Sequence, residues 1–228
     1  MQKLTLSIIA LCFVFAAQAQ KKEERKVESF DYVSLGVSAD LVITQGSSNS
    51  LTLEGDPDDL EEIETYVSNG TLKIKKENDW SWFDHMDDVK IYVTLVDFRG
   101  ASVSGSGKIT NSNNLKGNDV RFSVSGSGDI DLYVDCRSID AHISGSGEIH
   151  LEGNTDSMEL SISGSGDLYS LGMKANSLEA HISGSGSAKV NVKEEIDAHI
   201  SGSGKIRYEG DPDRVREKVS GSGSVRKL

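Results

Sequence analysis

Along most of this chain apolar and polar residues alternate with a period of two. Ile139, Ala141 and Ile143 alternate with Asp140 and His142, and Met158, Leu160 and Ile162 with Glu159 and Ser161. Leu178, Ala180, Ile182 and Ile196, Ala198, Ile200 repeat the pattern around Glu179, His181, Asp197 and His199. Successive side chains of a strand point to opposite faces, so each stretch predicts a strand with one face buried. Each stretch runs into Ser-Gly-Ser-Gly, which begins at Ser104, Ser125, Ser144, Ser163, Ser183, Ser201 and Ser220, at intervals of 21, 19, 19, 20, 18 and 19 residues. So regular a period predicts an all-β, single-domain parallel β-solenoid in which each coil lies on the one before. A coil of this length covers about 60 Å at ~3.3 Å per residue, which leaves little chain for long loops.

The parity persists through the motif to Ile130 and Leu132, Ile149 and Leu151, and Ile206 and Tyr208. If the strand is continuous there, both Gly of each motif face inward and both Ser face out; if the Gly are bulged, the Ser turn inward. Either way a residue without Cβ at the same place in every coil marks a pinch or a corner.

Before the repeats the pattern is less regular. Val33, Leu35, Val37, Ala39, Leu41 and Ile43 share one face, and Leu51 and Leu53 follow a turn at residues 46–50, as expected of the first coils of the same solenoid. Asp56 as cap and Pro57 at the first helical position predict a short helix carrying Leu60 and Ile63 inward. Asn69-Gly70, between Thr65-Tyr66-Val67 and Leu72-Lys73-Ile74, predicts a hairpin. At the far end Glu217 takes an inward position between Val215 and Val219, as if the last coil loses its buried face.

Residues 1–19 read as a secretory signal peptide, with Lys3 ahead of an apolar run and Ala17-Gln18-Ala19 as cleavage site. The expected organisation is then a disordered lead-in over residues 20–28, irregular coils over 29–100 and repeats over 101–228, with no membrane span in the mature chain. Export implies the periplasm, the outer surface or the extracellular space. Removing the leader takes Lys3 away and moves the net charge from -12 to -13. Such a chain repels nucleic acid and anionic membrane. Cys136 remains as a lone thiol, so no internal disulfide is expected. Residues 54–64 carry seven acids and no base, whereas residues 205–228 carry seven bases and four acids. Together with an uncapped strand edge at the C-terminal end, this contrast suggests an end-to-end homodimer.

The repeated Ser-Gly-Ser-Gly followed by an acid and Ile or Leu, the Phe30-Asp31 strand region and Val89-x-Ile91-x-Val93-Thr94-Leu95 resemble the GIN domain. So does the ending Ile206 to Pro212 with Val219 to Val225 after it. The similarity spans roughly residues 29–226. It implies a parallel β-solenoid in the bacterial envelope and a role like that of an auto-transporter adhesin head, with no catalytic residues to carry over.

Three candidate sites follow from the residues. The outward column His142, His181 and His199, interrupted by Ser161 and flanked by Asp140, Glu159, Glu179 and Asp197, could hold Zn²⁺ or Cu²⁺ or respond to pH, or simply be a solvated face. Trp80, Trp82 and Phe83, set among Asp79, Asp84, Asp87 and Asp88, could stack on a sugar or an envelope protein, or plug the N-terminal end of the core. Asp156-Ser157-Met158 resembles a short O-glycosylation acceptor of some bacterial envelopes. Neither a nucleophile elbow nor a phosphate-cradling Gly-x-Gly-x-x-Gly at a helix start is present. No cofactor is called for. The sequence therefore reads as a secreted, non-enzymatic interaction module, against a carbohydrate-active β-helix enzyme or a purely structural envelope component.

Overall fold

The computed structural model describes residues 21–76 and 89–228. In chain order β1 (Lys21–Arg25), β2 (Tyr32–Leu35), β3 (Asp40–Gln45) and β4 (Ser50–Gly55) precede the helix α1 (Pro57–Glu61). Then come β5 (Ile63–Ser68), β6 (Thr71–Lys76), β7 (Lys90–Leu95), β8 (Gly100–Gly105), β9 (Lys108–Asn111), β10 (Leu115–Lys116) and β11 (Asp119–Gly126). The repeats continue as β12 (Asp129–Gly145), β13 (Glu148–Gly164), β14 (Asp167–Gly184), β15 (Ser187–Gly202), β16 (Lys205–Glu209), β17 (Arg214–Gly221) and β18 (Ser224–Lys227). The fold is the expected parallel β-solenoid.

Each coil has two arms. One leads into the Ser-Gly-Ser-Gly corner (β8, β11, the second halves of β12 to β15, and β17) and the other leaves it (β9, the first halves of β12 to β15, β16 and β18). Ladders align the motifs along one edge: Ser144 faces Ser125 and Ser163, Ser183 faces Ser163 and Ser201, and Ser220 faces Ser201. The extra residue in the interval from Ser163 to Ser183 is absorbed as an irregularity between His150 and Gly153, so the register recovers before the corner.

At the corner the two glycines do different jobs: of the two arrangements the sequence leaves open, the one with both Ser facing out is found, but only the second Gly is buried. Gly145 stands at φ 123, a left-handed conformation that redirects the chain, and it is not buried. Gly147 is the buried one. A Cβ there would come within 2.2 Å of the Gly128 carbonyl oxygen and 2.5 Å of Val124 Cγ1 on the coil beneath. Ser144 and Ser146 both face solvent. The corner also satisfies its own main chain, since Ser146 N donates to Gly126 O at 2.9 Å and Ser165 N to Gly145 O at 2.9 Å. Buried peptide groups need such partners, and each corner finds them in the one below.

Inside, inward positions stack by residue type. Phe122 is fully buried and pairs in the ladders with Ala101 on one side and Ala141 on the other, so small neighbours make room for the ring. Each buried aliphatic side chain stabilises the stack by about 2 kcal/mol. At the C-terminal end this ceases. All eight residues of β17 are exposed, including Val215 and Val219 at inward positions beside Glu217.

The N-terminal region departs from a simple succession of coils. β2 pairs in parallel with both β6 and β8, and β3 with both β7 and β9. The coil formed first in the chain is therefore sandwiched between two that come later. β4 pairs antiparallel with β7 and β1 antiparallel with β4 beyond it. Residues 21–25, expected as part of an unstructured lead-in, are thus a strand. The edge of β4 supplies the ladder, and Arg25, whose guanidinium donates to Ile63 O at 2.5 Å and Leu60 O at 2.7 Å, ties the charged run to the cap.

The local expectations hold. Asp56 accepts from Asp58 N at 3.0 Å and buries Leu60 through the one-turn helix. Asn69 (φ 51) and Gly70 (φ 74) close the β5–β6 hairpin with the two positive φ values of a primed turn.

Candidate functional site

The outer face of the arm that enters the corner carries polar side chains in columns parallel to the solenoid axis. Ladder pairs place Asp140 beside Glu159, Glu159 beside Glu179 and Glu179 beside Asp197. Two residues on, His142, Ser161, His181 and His199 form the next column, and the first Ser of each motif the one after. Spacing within a column is the strand spacing of ~4.8 Å, at which like charges directly opposite destabilise a sheet. The chain compensates. Arg121 and Arg216 close the two ends of the acidic column, donating through Nε to Asp140 at 2.9 Å and to Asp197 at 3.1 Å.

Three of these four acids also have an imidazole two residues on, where Glu159 has Ser161. His181 Nε2 lies 3.2 Å from Glu179 Oε1 and His199 Nε2 3.3 Å from Asp197 Oδ1. His142 Nε2 lies 2.7 Å from Asp140 Oδ1, a contact whose alignment falls short of a hydrogen bond. The rings of His181 and His199 stack at 5.1 Å between centroids. Ser161 separates His142 from this pair, and among the described residues no three His, Cys, Asp or Glu side chains converge as metal ligands.

The strands Asp140-x-His142-x-Ser144, Glu179-x-His181-x-Ser183 and Asp197-x-His199-x-Ser201 put acid, imidazole and hydroxyl in order on one face, a juxtaposition the sequence shows but that its motif searches miss. In a hydrolytic triad the acid takes Nδ1 and leaves Nε2 for the serine. Here Nε2 faces the acid in all three strands, and no His–Ser hydrogen bond forms among the described residues.

Because each ring leans back toward its acid, an axial trough opens between the imidazole column and the Ser column. It measures about 500 Å³, with a mostly apolar lining, and its floor is the main chain of Ile143, Ile162, Ile182 and Ile200. Lys218 extends the imidazole wall on the last coil. A trough with hydroxyls on one wall, imidazole faces on the other and no carboxylate in its lining suits an uncharged, ring-bearing ligand.

The remaining sequence-derived sites distribute as follows. Trp80, Trp82 and Phe83 lie outside the described residues, as does the leader. Ser157 is exposed on the outer face, in ladder between Ser138 and Ser177. Cys136 is half-buried against Thr155, and burial pushes its thiol up to about 11. No helix among the described residues is long and apolar enough to cross a membrane.

Stacked two-armed coils with a patterned outer face define a β-solenoid repeat module. The family described as "Putative auto-transporter adhesin, head GIN domain" matches residues 29–212, and the chain belongs to that family. Among solved structures it is similar to a "putative adhesin" of Bacteroides fragilis, with a TM-score of 0.86 and 24% identity over 93% of this chain and 98% of the other. A "putative lipid binding protein" of Parabacteroides distasonis gives 0.74 and 25% over 93% and 98%. A "putative adhesin" of Parabacteroides merdae gives 0.70 and 20% over 93% and 97%. No curated protein matches.

Proposed function

We propose that the chain is an exported, non-enzymatic, adhesin-like module that binds an extended, uncharged glycan along its ladder face. One observation carries the reading: the same outward side chains recur on consecutive coils and flank a continuous trough. A catalytic centre needs one convergent set of groups, whereas a binding face for a repeating polymer gains from repetition. Stacked coils repeat the same hydroxyl every ~4.8 Å, a regular series of donors and acceptors for the repeating hydroxyls of an extended polymer. The family and its structural neighbours, described as adhesins, support a surface role.

The test is a glycan array probed with the intact protein, alongside incubation of bound glycans for release of reducing ends. Binding without release is expected. Ser183→Trp fills the trough from an exposed position and should abolish it, while loss only in Trp80→Ala/Trp82→Ala moves the site to the aromatic segment. No glycan bound by the intact protein, or steady release of reducing ends, refutes the function.

A further inference from the structure

The other arm shows a different pattern. Along its outer face the ladders run from Asp129 and Asp131 through Glu148 and His150 to Asp167 and Tyr169, and then change sign. Lys189 pairs with Arg207, Arg207 with Arg226, and Lys205 with Ser224. Three cations therefore stand in one column at the strand spacing, with a fourth beside it. On the ladder face the two ends of the acidic column are answered by arginine. Here the like charges are not answered. Lys189 lies over the Tyr169 ring, 5.2 Å from its centroid, but Lys205, Arg207 and Arg226 make no ion pair and no side-chain hydrogen bond among the described residues. Three other bases of this end do find acids: Lys227 in Asp211 at 2.5 Å, Arg216 in Asp197 and Arg214 in Glu195. Glu209 follows on the same face of β16 without bridging to any of the three.

Like charges placed directly opposite weaken a sheet, and a chain of net charge -12 has acids to spare for neutralising them. Leaving Arg207 opposite Arg226, with Lys205 beside them on the same coil as Arg207 and all three unanswered, is a cost that a bound anion removes. The three line one cavity of about 320 Å³, together with the Ser222 and Ser224 hydroxyls. Two guanidinium forks, an ammonium and two hydroxyls are the donors that a tetrahedral oxyanion accepts from several sides.

We propose that Lys205, Arg207 and Arg226, with Ser224, form a binding site for a phosphate group carried by an envelope lipid or a phosphorylated glycan. The site lies on the opposite arm from the trough and does not depend on it.

Thermal unfolding of the full chain at low salt, with and without inorganic phosphate, tests the proposal against Lys205→Gln/Arg207→Gln/Arg226→Gln. All three positions are exposed, so the variant keeps its core. Without phosphate the variant should melt higher than the parent, because the repulsion is gone. Phosphate should raise the parent's midpoint and act on the variant only at tenfold or more higher concentration. Added sodium chloride should weaken the effect on the parent. Co-sedimentation with phosphatidate-containing vesicles, but not with pure phosphatidylcholine ones, assigns the phosphate to a lipid headgroup. Stabilisation by mannose 6-phosphate without co-sedimentation assigns it to a glycan. Equal response of parent and variant to phosphate, or a variant that melts lower than the parent at low salt, overturns the proposal. Neither result touches binding in the trough.

Discussion

Gly105 and Gly145 occupy the same place in their motifs, and the difference between them isolates why the corner requires glycine. Both have positive φ, 110 and 123 respectively. A Cβ on Gly105 would meet nothing within 4 Å, whereas on Gly145 it would lie 2.5 Å from the Gly126 carbonyl oxygen. Gly105→Ala therefore pays for backbone conformation alone, about 1–3 kcal/mol. Gly145→Ala adds an overpacking term of about 1–3 kcal/mol, because the obstructing atom is main chain held in a ladder and unable to rotate away. At a urea slope of about 2 kcal/mol per M, a gap of ~2 kcal/mol separates the two midpoints by about 1 M. Ser146→Ala, on the exposed side of the same corner, is the control and should stay within ~0.5 kcal/mol of the parent. Equal midpoints for the two alanine variants would refute the reasoning, for they would mean that the left-handed backbone, and not the coil beneath, selects glycine.

Two further outcomes follow from the cap and the thiol. Arg25→Ala removes the donor to Ile63 O and Leu60 O, and should lower stability by about 2 kcal/mol in urea unfolding; an unchanged midpoint would show that β1 is not fastened there. Cys136, with its thiol pushed up to about 11 by burial, should react with a maleimide at pH 8 far more slowly in the native chain than in urea. The unfolded chain loses this proton first, so the contribution is intact below the thiol's ordinary value of 9.0 and declines as pH rises from there toward 11. Cys136→Ser should flatten that decline in a pH series of unfolding midpoints.

Much of the architecture is legible in residues alone, for identifiable reasons. A solenoid repeats its sequence because it repeats its environment, so Ile143, Ile162, Ile182 and Ile200 announce one inward column. The turn at Asn69-Gly70 and the cap at Asp56 are local and need no tertiary information. The placement of β2 and β3 is not legible, because the alternation of Val33 and Leu35 is the same whichever coils lie on either side. Lys21 to Arg25 lack an apolar face; the free edge of β4 gives them a ladder, and the carbonyls of Leu60 and Ile63 hold Arg25. The glycine pair misleads for a related reason: parity assigns both to the interior, but a positive φ at the first resets the direction before the second. The columns of His, acid and Ser are readable, yet the trough between them depends on which way each imidazole leans, and that is decided by the carboxylate two residues back. The three unpaired cations appear in the sequence only as a basic C-terminal end. Which of its bases find acids is a question of ladder register.

The sandwiching of β2 and β3 also sets an order of events as the chain is made. Strands at residues 32–45 have partners on both sides that are synthesised later, so the first coil stays open until about residue 111 has emerged. Each later coil needs only the one already in place. The N-terminal half should therefore form in a single cooperative step with a long loop to close, and the rest should add like layers on a template. Pulled from its C-terminus the molecule would shed coils one by one; pulled from β2, it must open on two sides at once.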